Sequence, residues 1–208
     1  MKLTVFGASG PLGRQLVAQA VDRGHEVIAA VRPSAQLSWG SSTVSVVEVD
    51  TYAGRNVESA VAEATAVCNG LWHTEHSPSD YFSVSGSHIL DAMESVGVDR
   101  YLTVAPATVQ SDDESGGFVE LLVGSLFRLF RPTFTTDAAR HIEDVARRDL
   151  HWTVPRVLRL AEGRLTRQYR TGNISLGFGS VSYSDCSSFM LDCCERGIYL
   201  QMLPKIRT

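Results

Sequence analysis

Near its start the chain carries Gly7-Ala8-Ser9-Gly10-Pro11-Leu12-Gly13, three glycines at fixed spacing between an apolar run and an amphipathic one. Leu3–Phe6 reads as a short buried strand. From Pro11 to Arg23 the positions Gly13, Leu16, Val17 and Ala20 share one helical face, with Pro11 suited to a helix start and Gly24 to its end. In a strand–turn–helix unit of this kind Gly7 permits the sharp turn, Gly10 lets the backbone approach a pyrophosphate, and Gly13 lets the helix pack closely on the sheet. The helix N-terminus then offers free N–H groups and a partial positive charge to phosphates. Gly7, Ser9, Gly10, Pro11, Leu12 and Gly13 are therefore expected to hold a dinucleotide. The bland alternative, a glycine turn that binds nothing, is disfavoured by the strand–turn–helix setting.

The rest of the chain keeps the same rhythm. Glu26–Val31, Val44–Val49, Ala66–Trp72, Tyr101–Ala105 and Trp152–Val157 read as strands. Asn56–Thr65, Ser79–Val96, a stretch near Thr136–Arg148 and Asp185–Arg196 read as helices, with a last short strand at Ile198–Met202. Such alternation needs crossover connections and yields a parallel sheet covered on both faces. The expectation is an α/β fold with a Rossmann-like doubly wound parallel sheet, residues 1–208 forming a single NAD(P)-binding domain. Two stretches break the pattern. Ser111–Gly117 is polar, acidic and Gly-rich, hence a loop; Phe118–Phe130 is apolar, making 117–131 a candidate helical lid.

Composition removes several alternatives. Lys plus Arg is 19 and Asp plus Glu is 23, a net charge of −4 without any basic block, which argues against a nucleic-acid partner. No run reaches about 18 apolar residues, so no membrane partner is expected. The chain opens on Met-Lys-Leu-Thr-Val-Phe, a strand rather than a signal peptide, and a cytoplasmic location is expected. Cys68, Cys186, Cys193 and Cys194 include no CxxC pair and no metal-type spacing, so no metal is expected; buried, inert thiols are the default even for the vicinal pair.

The choice of dinucleotide turns on the end of the second strand. NAD-preferring sites place an acidic residue about 20 residues past the loop to accept the ribose 2′-OH. Here Ala30-Val31-Arg32-Pro33-Ser34 puts Arg32 there, whose guanidinium matches a 2′-phosphate by charge and geometry, and Ser34 adds a hydroxyl. NADP(H) is expected in preference to NAD(H). Asp50, closing the third strand, either accepts from the adenine amino group beside the Thr51 backbone or caps the following turn. Trp72 and His73 follow the fourth strand, where cofactor or substrate contact is as plausible as a plain loop. His141, near Glu143 and Asp144, reads as part of a solvated helix face.

With these residues in place the chain resembles the atypical short-chain dehydrogenase/reductases with NmrA-like, NAD(P)H-binding domains, and within them the flavin reductase/biliverdin-IXβ reductase group. The likeness rests on Val5–Gly13, Val31-Arg32, Val49-Asp50, Ser77-Pro78, Gly97-Val98-Asp99-Arg100, Leu150–Val154 and Val181–Asp185. It implies nucleotide laid across the C-terminal strand ends, with Ala105 and Pro106 beside the nicotinamide. Three departures concern catalysis. No Tyr has a Lys four residues on. The Ser that the group carries after the fifth strand is Pro106 here. The His that it carries after the sixth falls in Val154-Pro155-Arg156-Val157, where the usual Arg-Pro is reversed. The catalytic residues are thus unknown; Thr108, Ser111 and His73 are hydroxyl or imidazole groups that could supply a proton near the cofactor, against the commoner reading of each as structural or solvent-facing. Hydride transfer itself belongs to the nicotinamide. The reading is an NADPH-dependent oxidoreductase reducing a small flat or carbonyl acceptor of flavin or quinone type. The alternative is a non-catalytic NADP(H) sensor acting through a protein partner, which Phe118–Phe130 would meet.

Overall fold

Side chains of the first strand alternate between two cores, and the whole molecule is built on that division. The computed structural model describes residues 1–33, 39–74, 76–109, 132–176 and 179–208. Its helices are α1 (Pro11–Asp22), α2 (Val57–Val61), α3 (Tyr81–Val96), α4 (Pro132–Arg147) and α5 (Tyr183–Arg196). The main sheet comprises β1 (Lys2–Phe6), β2 (Glu26–Val31), β3 (Val44–Glu48), β4 (Ala66–Asn69), β5 (Arg100–Thr103) and, beyond a short β6 (Ala105–Pro106), β7 (His151–Thr153). All its pairs are parallel, in the order β3-β2-β1-β4-β5-β7. Leu3 and Val5 pack with Leu16, Val17 and Ala20 of α1 and Met190 and Leu191 of α5. Phe6, Val67 and Tyr101 pack on the opposite face against Ile89 and Met93 of α3 and Ile142 of α4. This is the doubly wound α/β arrangement, and each strand is apolar on both sides because helices cover both.

Past β7 the chain leaves the main sheet. Strands β8 (Arg156–Val157), β9 (Leu160–Ala161), β10 (Arg170–Gly172), β11 (Val181–Ser182) and β12 (Lys205–Arg207) form a second sheet, β10-β12-β8-β6, and a β11-β9 pair. The expected strand Trp152–Val157 is therefore two strands. Pro155 has no N–H for a ladder, Val154 donates to the Met202 carbonyl, and Arg156 resumes pairing with Ala105 and Lys205. The buried Arg156 guanidinium fastens the junction: Nε donates to the Leu203 carbonyl at 2.9 Å and Nη1 to the Val109 carbonyl at 3.0 Å.

Other expected elements are shorter or different. Ala66–Trp72 stops pairing at Asn69, whose Oδ1 accepts from the Leu71 N–H at 3.0 Å. Asn56–Thr65 contracts to Val57–Val61 behind a left-handed Asn56. In Ile198–Met202 residues 198–201 turn, with positive φ at Tyr199 and Gln201, Met202 alone bridges to Thr153, and the final strand is β12 instead. Ser34, Ser111 and the candidate lid at 117–131 lie outside the described residues. Among the described residues no helix is long and apolar enough to cross a membrane.

Candidate functional site

Strand order reverses between β1 and β4, and a cleft opens there above the C-terminal strand ends, as expected at a topological switch point. Its volume is about 580 Å³. One part is the glycine loop. Gly7 has φ +69°, and a Cβ there would lie 2.9 Å from the Gly70 carbonyl carbon; at Gly13 it would lie 2.1 Å from the Gly7 carbonyl oxygen. Those two glycines are required by the protein's own packing. Gly10 differs: its φ is −78° and a Cβ would meet only the Gly7 oxygen, at 3.3 Å. The bare backbone at Gly10 is open toward the cleft, as a close-approaching ligand needs. No side chain caps α1 and its first turn holds no acidic residue, so its N-terminal field is free for an anion. These features fit a pyrophosphate held by Gly7, Ser9, Gly10, Pro11 and Leu12, all of which line the cleft.

On the β2–β3 side the cleft is bounded by Ala30, Arg32, Val49 and Thr51. Arg32 is exposed and makes no ion pair with any described residue, so its charge is available. Asp50 points elsewhere: its carboxylate accepts from the Ala53 N–H at 3.0 Å and from Arg55, closing the turn, and is not part of the cleft wall. The Thr51 carbonyl accepts from His88 Nδ1 at 2.9 Å.

Toward β4 and β5 the walls become aromatic and apolar. Trp72 meets Phe82 edge-on at 5.8 Å and Phe134 at 5.6 Å between centroids. His73 lies 5.9, 4.9 and 5.5 Å from the rings of Tyr81, Phe82 and Phe134. Pro106, Val157, Leu158 and Leu160 complete this end. Ala105 lies behind it, donating its N–H to the Pro155 carbonyl at 3.0 Å. Pro106 and Val157, where the resemblance expects Ser and His, are register partners across β6 and β8. Both are apolar, so this patch offers no proton. Thr108 is not in the cleft wall.

Sequence reasoning missed Asp137. This α4 carboxylate, 1% exposed, lies 3.0 Å from His73 Nε2. It also accepts from the Phe82 and Ser83 N–H groups at 2.7 and 3.1 Å, capping α3 from a neighbouring helix. No local signal marks it, because an Asp near a helix start reads as solvated. His141 corrects the expectation of a solvated face: it is buried, its Nε2 lies 3.1 Å from the Tyr101 hydroxyl, and burial pushes its pKa down to about 4. Among the described residues no group of three His, Cys, Asp or Glu is placed to hold a metal. All four cysteines are free and buried.

The profile of the NAD(P)H-binding family matches residues 7–196, from the first glycine of the loop to the end of α5. The chain belongs to the NAD(P)H-binding family. Within it the chain is similar over 101 residues, 48% of its length, to an uncharacterized protein of Mycobacterium tuberculosis at 35% identity, and spans 11% of that relative's length. Three solved structures align over their whole folds. A candidate NADH-flavin reductase from Streptococcus pneumoniae has a TM-score of 0.80 at 23% identity, covering 100% of this chain and 99% of that one. A short-chain dehydrogenase/reductase from Veillonella parvula in complex with NADP has a TM-score of 0.81 at 14% identity, covering 100% and 94%. ChuY, an anaerobillin reductase from Escherichia coli O157:H7, has a TM-score of 0.81 at 14% identity, covering 100% and 97%. At these identities the likeness establishes the doubly wound α/β fold alone.

Proposed function

We propose that the protein is an NADPH-dependent oxidoreductase that reduces a small, flat or carbonyl-bearing acceptor of flavin or quinone type. The observation that carries this reading is the continuity of one cleft. The uncapped α1 N-terminus and bare Gly10 backbone lead without interruption to a wall of Trp72, Phe134, Pro106, Val157 and Leu158. The first part suits phosphates; the second suits a flat apolar ring system stacked on a nicotinamide. Gly7, Ser9, Gly10, Pro11 and Leu12 would hold the pyrophosphate, Arg32 and Ser34 the 2′-phosphate, and Thr51 the adenosine end. Trp72, His73, Ala105 and Pro106 would flank the nicotinamide. NADPH, when bound, supplies a hydride. The protein's share is to orient the acceptor against the Trp72–Phe134 wall and to exclude water with the apolar Pro106–Val157 pair.

Two neighbours by fold, a candidate NADH-flavin reductase and an anaerobillin reductase, support reductase chemistry, and a third in complex with NADP supports the cofactor. The preference for the phosphorylated cofactor rests on Arg32 standing where an acidic residue would select NAD(H). The partner is thus a small molecule, not a nucleic acid or a membrane, and the four free thiols suit the reducing cytoplasm. A sensor would bind NADPH without consuming it. Following the NADPH absorbance band with flavins, quinones and aldehydes separates the two: multiple-turnover, acceptor-dependent oxidation is expected, and its absence across the panel overturns the reductase.

A further inference from the structure

The reductase needs a proton as well as a hydride, and the register pair Pro106 and Val157 cannot give one. From the structure we infer that His73 is the acid of this site and that Asp137 is its positioning residue; the inference rests on the reductase reading above. His73 lines the cleft four residues beyond the end of β4, on the side of the glycine loop that leads to Trp72 and Phe134. Its ring is boxed by Tyr81, Phe82 and Phe134, which fix its plane. Its side chain keeps 14% of its surface exposed, enough to exchange protons with water.

The tautomer follows from the carboxylate it touches. Asp137 Oδ2 accepts from the Phe82 N–H at 2.7 Å, and Oδ1 accepts from the Ser83 N–H at 3.1 Å and the Ser83 hydroxyl at 2.5 Å. Three donors already converge on this carboxylate, 1% exposed, which acts as acceptor throughout, so His73 Nε2, at 3.0 Å, carries hydrogen and donates. Nδ1 has no hydrogen-bond partner among the described residues and is the nitrogen left free to act on an acceptor. A neutral imidazole without Asp137 could place its hydrogen on either nitrogen; with it, only one form keeps the hydrogen bond.

The step balances with a carbonyl or quinone acceptor. The hydride brings its electron pair to the acceptor carbon, or to the conjugated terminus of a quinone, and the C=O π pair moves to oxygen. That oxygen takes the proton from His73 Nδ1: the N–H bond breaks, the O–H bond forms, and the imidazolium becomes neutral imidazole still donating Nε2–H to Asp137. NADPH is oxidised, the acceptor is reduced, and water restores the proton at Nδ1. Among the described residues the charged or titratable groups around the ring are Asp137 on α4 and Tyr81 on α3, with His76 in the loop before α3 and Arg32, Arg159 and Tyr183 elsewhere on the cleft wall.

The test combines pH–rate profiles with a spectroscopic arm. For a reaction that takes its proton from a general acid, wild-type kcat/KM for a quinone should fall as pH rises. In His73→Gln it should be lower by about 10²-fold at the acidic end and flat across the same range, with the circular dichroism of a folded protein. Asp137→Asn should lower kcat more than it raises KM. Nitrogen-15 NMR of the wild type without acceptor should show hydrogen held on His73 Nε2. A His73→Gln enzyme that keeps the wild-type profile, or an unprotonated Nε2, overturns the assignment and leaves the reductase reading intact. A wild type that oxidises no NADPH overturns the reductase reading itself, and the assignment with it.

Discussion

A methyl group added at Gly13 and one added at Gly10 meet very different surroundings. At Gly13 it would lie 2.1 Å from the Gly7 carbonyl oxygen and 2.7 Å from the Ala8 Cα, both rigid backbone. Gly13→Ala should therefore push α1 off the sheet and lower the melting midpoint by roughly 10 °C, an overpacking cost of about 3 kcal/mol. At Gly10 the one contact among the described residues is 3.3 Å away and φ is −78°, comfortable for alanine. Gly10→Ala should leave the midpoint within about 2 °C, because the reduced freedom of the unfolded chain offsets slight crowding. It should still weaken NADPH by at least about tenfold, since the methyl occupies the face left open to the pyrophosphate. Thermal denaturation and a fluorescence titration of both variants check the pair. Loss of stability in both, or undiminished binding in Gly10→Ala, would mean that the glycines serve the turn alone.

The seam between α3 and α4 shows how elements, rather than residues, set local chemistry. Gly86 on α3 leaves a slot for the His141 ring of α4; a Cβ there would sit 2.1 Å from Nδ1. Across the slot His141 Nε2 meets Tyr101 of β5, whose hydroxyl also accepts from Asn69 Nδ2 at 2.8 Å. Burial thus holds His141 neutral, with its pKa down at about 4 against an unfolded value of about 6.5. Between those values the unfolded chain binds the extra proton, so stability falls as pH drops through this window, by up to about 1.4 kcal/mol per pH unit. Asp185 and Glu195 are held below their usual range by hydrogen bonds and ion pairs, so their contribution is lost only at lower pH. Denaturant midpoints measured from pH 7 to about 4.5 should decline in the wild type and stay nearly level in His141→Gln; equal slopes would contradict the assignment. The seam was also where sequence was least legible. The repeating strand–helix pattern gave the order of elements because both faces of each strand are covered, which periodicity records. It did not show His141 buried, because neighbours Glu143 and Asp144 mark that helix as charged and only Gly86, 55 residues away, makes the slot. Nor did it show where strands stop. Asn69 and Pro155 end pairing through a side-chain bond and a missing N–H, effects decided by partners distant in the chain.

At the scale of the whole molecule, one topological fact assembles the site. Because β2 and β3 lie to one side of β1 and β4 and β5 to the other, the glycine loop sits between Arg32 and the Trp72–His73 segment. The loop and Arg32 were legible from spacing alone, since each follows a strand and the strand order decides the rest. The aromatic wall was not, because Phe134 and Asp137 arrive from α4, some 60 residues after β4. The resulting cleft has, where the adenosine ribose would lie, a cation with no ion-pair partner among the described residues, an open helix N-terminus at its middle and an apolar box at its far end. Calorimetric titration with NADPH and NADH, for the wild type and Arg32→Ala, tests this account most directly. NADPH should bind at least about tenfold more tightly than NADH, and the difference should vanish in Arg32→Ala while NADH affinity is unchanged. Equal affinities in the wild type, or no binding of either nucleotide, would contradict it.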